Sequence, residues 1–266
     1  MPTRHPVAGQ PVFEHYSLEF ADYFVMDRHD GVLTLRLHTD GGPARFNLDV
    51  HRAWGNAWRE IGGDPANEVI IITGTGDLFL DFPNADDLSR LQPEGATDQF
   101  AYNTYYEGLK LIENFVHAID VPTIAAINGP SRFHTEFALM ADLTIATDDV
   151  VFSDGHFAAA TAPGDGLGLA LQETLGTKRA AYHLYTGAPV DAHTALELGL
   201  VNEIVPRDQI MDRAHELAAL IMKQPRAARR FTHAIVSRPW RRRVSEDFGV
   251  QLSSEMLGIS ADKIFG

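Results

Sequence analysis

One short stretch of the chain concentrates side chains able to move protons: His134, Glu136, Asp154, His156 and Asp165. Two imidazoles and several carboxyl groups this close together suit acid–base chemistry near neutral pH, where unperturbed histidine titrates. Each residue also has a plainer use. His134 stands just before Thr135-Glu136 at a predicted helix start, and His156 follows Asp154-Gly155 in a loop. Asp165, inside Pro163-Gly164-Asp165-Gly166, caps a following helix as readily as it does chemistry. Clustered between short apolar segments, they mark a candidate pocket. Their spacing makes no argument for a metal, and no H-E-x-x-H or Walker A pattern occurs. Gly74-Thr75-Gly76 reads as a strand-ending turn. Without a G-x-S-x-G elbow, water is a better nucleophile for a hydrolase here than serine.

The elements that must position these groups alternate between two periodicities. Tyr23–Arg28 and Val32–Leu37 alternate apolar and polar residues around His29-Asp30-Gly31, as a hairpin does. Val50, Trp54, Trp58 and Ile61 fall at helical spacing. Val69–Thr73 is an unbroken β-branched run, which suits a strand buried on both faces. A helix over Tyr106–Ile119, a strand over Pro122–Ile127, a helix from Phe137 and a strand over Leu143–Thr147 follow. Alternation of this kind implies βαβ crossovers and a layered α/β core. Beyond about residue 190 the pattern is mostly helical, with the one basic cluster at Arg238–Arg243 read as a solvated helix junction or subunit contact, and otherwise as an anion site.

Composition narrows the function classes. The 266 residues carry a formal net charge of −14, which argues against nucleic acid or an anionic membrane as a partner. The absence of cysteine removes disulfides, thiolate nucleophiles and zinc–thiolate sites, and fits a cytoplasmic location. The N-terminal segment has no apolar core of the secretory kind, and no apolar run is long enough to span a bilayer.

Across roughly residues 20–260, the sequence resembles the crotonase (enoyl-CoA hydratase/isomerase) superfamily. The resemblance rests on Val69–Phe79, Pro122–Gly129, Ala141-Asp142-Leu143, Ala162-Pro163-Gly164, Leu184–Gly187 and Ala195–Asn202 in that order. It implies an α/β fold built as a spiral of ββα turns with a helical C-terminal trimerisation region. The expected division is an arm over 1–16, a spiral core over 17–190 and a helical region over 191–266. A homotrimer or dimer of trimers is implied.

Two departures from that family bear on activity. Its CoA-binding members have a small, glycine-rich segment where this chain has Pro130–Thr135, and alanine and glycine where it has Leu80-Asp81-Phe82-Pro83. Both segments normally help polarise a thioester carbonyl, and an acid there would repel enolate charge. These departures resemble the β-diketone hydrolase branch, which uses no CoA and cleaves a carbon–carbon bond by a retro-Claisen reaction, with desymmetrisation of cyclic diketones. The resemblance implies catalytic roles for His134, His156, Asp165, His51 and Glu255; the expected mechanism has His156, oriented by Glu255 or Asp165, as the base that activates water, His134 with Asp165 stabilising or protonating the enolate, and His51 positioning a carbonyl. It implies substrate contacts from Phe46, and Phe82, Phe133 and Phe157 as apolar walls. Neither an organic cofactor nor a metal is implied, and the partner is a small cyclic diketone. CoA-ester chemistry and a non-catalytic oligomer remain the competing expectations.

Overall fold

The computed structural model describes residues 9–91, 97–131 and 134–265. A hairpin of β1 (Phe24–His29) and β2 (Val32–Leu37) opens a six-stranded sheet. It continues in parallel through β3 (Val69–Thr73), β4 (Thr123–Ile127) and β5 (Leu143–Ala146). A short pair, β6 (Val151–Phe152) and β7 (Val190–Asp191), forms a second sheet, and β8 (Glu203–Ile204) closes the edge of the first beside β5.

The helices, in chain order, begin with α1 (Phe13–Glu19), α2 (Leu48–Gly63), α3 (Ala85–Leu91) and α4 (Asp98–Ala118). Next come α5 (Glu136–Leu139), α6 (Leu167–Leu175), α7 (Thr177–Thr186) and α8 (Ala192–Leu198). The C-terminal set is α9 (Ile210–Met222), α10 (Arg226–Val236), α11 (Arg238–Arg243) and α12 (Gly249–Phe265), with a π-helical turn over Val244–Phe248 leading into α12.

The β-branched runs behave as their composition predicts. Every residue of β3 and β4 is buried. Because side chains alternate between the faces of a strand, Ile70 and Ile72 join the larger core under α2 and α4, while Val69 and Ile71 pack with Ile210, Ala214 and Ala218 of α9 on the other face. In the larger core Trp54, Trp58 and Phe137 meet at ring separations of 5.3–6.4 Å, within the range of favourable aromatic pairing. Asn128 clamps the strand ends, accepting from the Gly74 amide at 2.9 Å and donating to the Gly76 carbonyl at 2.8 Å.

Three expected boundaries shift. The N-terminal arm does not stay loose to residue 16: α1 begins at Phe13, and Tyr16 is buried with its hydroxyl donating to Asp64 at 3.0 Å. The division at 190/191 falls inside β7, and β8 beyond it completes the main sheet, because the edge of β5 needs a partner. The helix expected over Tyr106–Ile119 extends back to Asp98, where the Thr97 hydroxyl caps it by accepting from the Phe100 amide. In the basic cluster, Arg241 donates to the Ile119 carbonyl and Arg243 binds Gln172, Glu173 and Asp247.

Candidate active site

Five separate parts of the fold deliver ionisable side chains to one buried place. His51 lies in the first turns of α2, whose start is fixed by the Asn47 side chain accepting from the Val50 amide. His134 precedes α5 and has a left-handed backbone, φ 46°, a conformation uncommon for a residue with a Cβ. Glu136 opens α5 and is completely buried. His156 follows β6 in a turn closed by the Asp154 carboxyl, which accepts the His156 backbone amide at 2.9 Å. Asp165 sits before α6, where Gly166 has φ 113° and the Asp165 carboxyl accepts from the Leu167 amide at 3.1 Å. Glu255 comes from α12.

Asp165 is the hub. Its Oδ2 is 3.8 Å from His134 Nδ1 and 3.8 Å from His156 Nε2. Glu255 Oε1 lies 3.7 Å from the same His156 nitrogen, and Asp154 Oδ2 is 3.3 Å from His156 Nδ1. His134 Nδ1 bonds Glu136 Oε1 at 2.7 Å, and its Nε2 is 3.4 Å from His51 Nε2. Phe46 packs on both rings, with centroids 4.0 Å from His134 and 4.2 Å from His51. The turn carrying Asp165 abuts α12 so closely that a Cβ on Gly164 would lie 2.4 Å from the Gln251 carbonyl oxygen and 2.6 Å from Glu255 Cβ.

These surroundings drive the two imidazoles apart in charge. Burial lowers His134 to about 4, with Asp165 only partly opposing, so the ring is neutral at neutral pH. Burial alone would lower His156 too, but Asp165, Asp154 and Glu255 together outweigh it and push that ring up to about 10. His51 is held well below its ordinary value, first by burial and then by His134. Burial also raises Glu136 to about 8 and Glu255 to about 8, and raises Asp165 against the pull of His156.

His134, His156, Asp165, His51, Glu255 and Phe46, all expected from the sequence, therefore meet. Phe82 and Phe157 do not form a closed wall: each is about half exposed, at 52% and 51%, and Phe157 packs edge-on against Tyr185. Phe133 lies outside the described residues. Two partners went unassigned in the sequence reading. Glu136 rather than Asp165 makes the short bond to His134, and Asp154 is the carboxyl nearest His156. The signal for both was local: in H-T-E and D-G-H, the carboxyl and the imidazole are two residues apart.

Donor atoms of His134, Glu136 and Asp165, and of Asp154, His156 and Asp165, lie within 4.8 Å of one another, so either set has the chemistry to hold a cation. Hydrogen bonding and ion pairing within the cluster account for the same spacing. No helix among the described residues is long and apolar enough to cross a membrane.

The segment expected to differ from CoA-binding relatives has its backbone amides bonded within this chain. The Asp81 amide donates to the Ala44 carbonyl at 2.8 Å, and the Phe82 amide donates to the Asp81 carboxyl at 2.9 Å. Both donors are therefore engaged within the protein.

A family model described as enoyl-CoA hydratase/isomerase matches residues 27–258. The chain belongs to that family. Carnitinyl-CoA dehydratase of Citrobacter koseri is 33% identical over 194 residues, covering 72% of this chain and 71% of that protein. Crotonyl-CoA hydratase of Syntrophomonas wolfei is 26% identical over 211 residues, 79% of each chain. Among solved structures, a β-diketone hydrolase from the cyanobacterium Anabaena, bound to (S)-3-oxocyclohexyl acetic acid, has a TM-score of 0.88 and 31% identity over 96% of this chain and 99% of that one. An enoyl-CoA hydratase/isomerase from Mycobacterium paratuberculosis shares the fold, at TM-score 0.81 and 21% identity over 89% and 93% of the two chains. The family member described here thus has the crotonase fold, with a polar cluster built around two histidines.

Proposed function

We propose that this family member is a hydrolase that opens a cyclic β-diketone by a retro-Claisen reaction with water, giving a keto acid. The observation that carries the reading is the pair of imidazoles, His134 and His156, each with a ring nitrogen 3.8 Å from the same Asp165 oxygen. The amides of Asp81 and Phe82, turned to protein acceptors, support it against thioester chemistry, which needs free donors at the carbonyl oxygen. The Anabaena hydrolase, with an oxo-acid bound, adds support by likeness. CoA-ester chemistry is the competing reading, favoured by the names of the curated relatives.

The reaction divides into two halves. Neutral His134 takes a proton from water as the water oxygen bonds to one carbonyl carbon, whose π electrons move to its oxygen. Collapse of that adduct breaks the adjacent carbon–carbon bond, and its electron pair passes to the α-carbon as an enolate of the second carbonyl. Charged His156 faces the enolate oxygen. The proton held by His134 passes to the α-carbon, which restores the neutral ring and leaves the new carboxyl group, so one water is consumed in all. This exchanges the histidine roles expected from the sequence. The carboxyl groups around His156 keep it protonated, which unsuits it as a resting base. Positioned acid–base catalysis of this kind is worth about 10²–10⁴-fold. A homotrimer or dimer of trimers fits the exposed Phe231 and Ile235 of α10.

The test is a panel of monocyclic and bicyclic β-diketones in chelator-containing buffer without CoA, run in ¹⁸O-water. Ring-opened keto acid with one ¹⁸O in its carboxyl group is expected. No turnover across the panel, with turnover of an acyl-CoA, would overturn the reading.

A further inference from the structure

We propose that Gly108 of α4, paired with Leu252 of α12, sets the size of the ring that the site accepts. The inference rests on the cyclic-diketone reading for its substrate; the space it describes belongs to the fold.

Three glycines face neighbours across the helices around His51, for different reasons. A Cβ on Gly62 would lie 2.2 Å from the Ala118 carbonyl oxygen, and one on Gly55 would lie 3.2 Å from the Leu111 backbone nitrogen. Both face backbone, so they serve the close approach of α2 and α4. The atoms nearest to a Cβ on Gly108 are side-chain carbons instead: Leu252 Cδ2 at 3.4 Å, Leu252 Cδ1 at 3.6 Å and His51 Cε1 at 3.7 Å. These are ordinary contact distances, so a methyl group fits there. Alanine is also the better helix former. Neither backbone packing nor helix propensity therefore asks for glycine at 108. What glycine supplies is room.

That room adjoins the candidate site. Cε1 is the carbon between the two nitrogens of the His51 ring, and His51 Nε2 is the atom 3.4 Å from His134. Leu252 lies one turn before Glu255 on α12, and the Glu255 carboxyl reaches His156. Gly108 and Leu252 are both buried. A site for an alicyclic body needs an apolar surface, and the half-exposed Phe82 and Phe157 do not supply a closed one. Phe46 packs against the rings of His51 and His134, while Gly108 and Leu252 stand at the Cε1 edge of His51. The wall is thus Phe46 and Leu252, and the side chain missing at 108 fixes how far the ring body extends toward α4.

The test compares substrates that differ in bulk. Gly108→Ala should lower the ratio of kcat/KM for bicyclic over monocyclic β-diketones by about 10–200-fold, the range for one methylene in an apolar pocket. Its melting temperature should not fall, because alanine favours the helix. Leu252→Ala, which enlarges the same space, should move the ratio the other way, and the double variant should lie between the two. A role in helix packing alone would lower kcat/KM for both substrates alike. A ratio within about twofold of wild type in Gly108→Ala would overturn the proposal.

The space is also read without turnover. Norbornanone and cyclohexanone lack the second carbonyl and so cannot undergo the cleavage. Each is titrated while the Leu252 methyl signals, assigned by their loss in Leu252→Ala, are followed by NMR. Norbornanone should shift these signals saturably in wild type and bind at least about tenfold more weakly to Gly108→Ala, with cyclohexanone changed by less than about twofold. Unmoved Leu252 methyls in wild type, or equal weakening of both ketones, would refute the assignment. Should no diketone turn over, this titration still judges the space at Gly108, while the substrate panel alone judges the reaction.

Discussion

Asp165→Asn is the most informative single change, because it removes one charge and little else. The asparagine oxygen can still accept from the Leu167 amide, so the start of α6 keeps its cap. The carboxylate oxygen that is lost stands 3.8 Å from His156 Nε2. At an effective dielectric constant of about 20, a unit charge at that distance is worth about 4 kcal/mol, or roughly 3 pH units. Asp165 is the largest of the influences that raise His156, so the imidazole should fall from about 10 toward roughly 7. Ring-proton NMR across pH 5–11 measures this directly. The kcat–pH profile should shift in parallel, losing activity on its alkaline side earlier than wild type, because the group facing the enolate discharges. A variant in which His156 still titrates near 10 would refute the electrostatic argument, whatever its activity.

Other outcomes follow from the same geometry. His134→Ala should reduce diketone turnover by about 10²–10⁴-fold while circular dichroism and sedimentation stay as in wild type. Gly164→Ala should lower stability by about 1–3 kcal/mol and reduce activity, since its Cβ meets the Gln251 carbonyl oxygen at 2.4 Å and must push α12, with Glu255, outward; thermal melting and kcat measured together check it. Stability should fall as pH rises above neutrality. His156, raised to about 10, and Glu136 and Glu255, raised to about 8, hold protons in the folded state that the unfolded chain has released. Each such difference costs about 1.4 kcal/mol per pH unit. His134, lowered to about 4, acts the other way, adding stability as pH rises from 4 to 6.5. Glu136 and Glu255 already lose stability from about pH 4.5 and offset that gain, so melting temperatures should fall most steeply between about pH 6.5 and 8, where His156 joins them, and continue down toward pH 10; a flat profile from pH 6.5 to 10 would contradict the buried-proton assignment.

Much of this molecule was legible in its sequence because period and composition coincide with burial. The β-branched run of β3 and the three-and-four spacing of Trp54 and Trp58 leave few other ways to hide apolar area. The five expected ionisable positions also converge. What stayed hidden was pairing. Nothing in residue types says that His134 turns to Glu136 and not Asp165; that depends on a left-handed backbone at His134 and on how α5 packs against the Gly166 turn. The resting charge of His156 was equally out of reach, since it sums three carboxyl groups from three different segments. Phe82 and Phe157 show the converse, because aromatic character suggested a wall where the fold leaves them half exposed.

The contact between the Gly164 turn and α12 also orders events in folding. The cluster draws on α2, the loops around α5 and α6, and finally α12, so it consists of contacts far apart along the chain, the kind that form slowly. The strands β2 to β5 pair through shorter crossovers and bury most of the apolar surface without it. Collapse can thus proceed around hydrocarbon alone. The topology predicts that the acids and imidazoles lose water late, as α12 docks with Glu255 against the Gly164 turn, an order that pulsed hydrogen exchange during refolding would read.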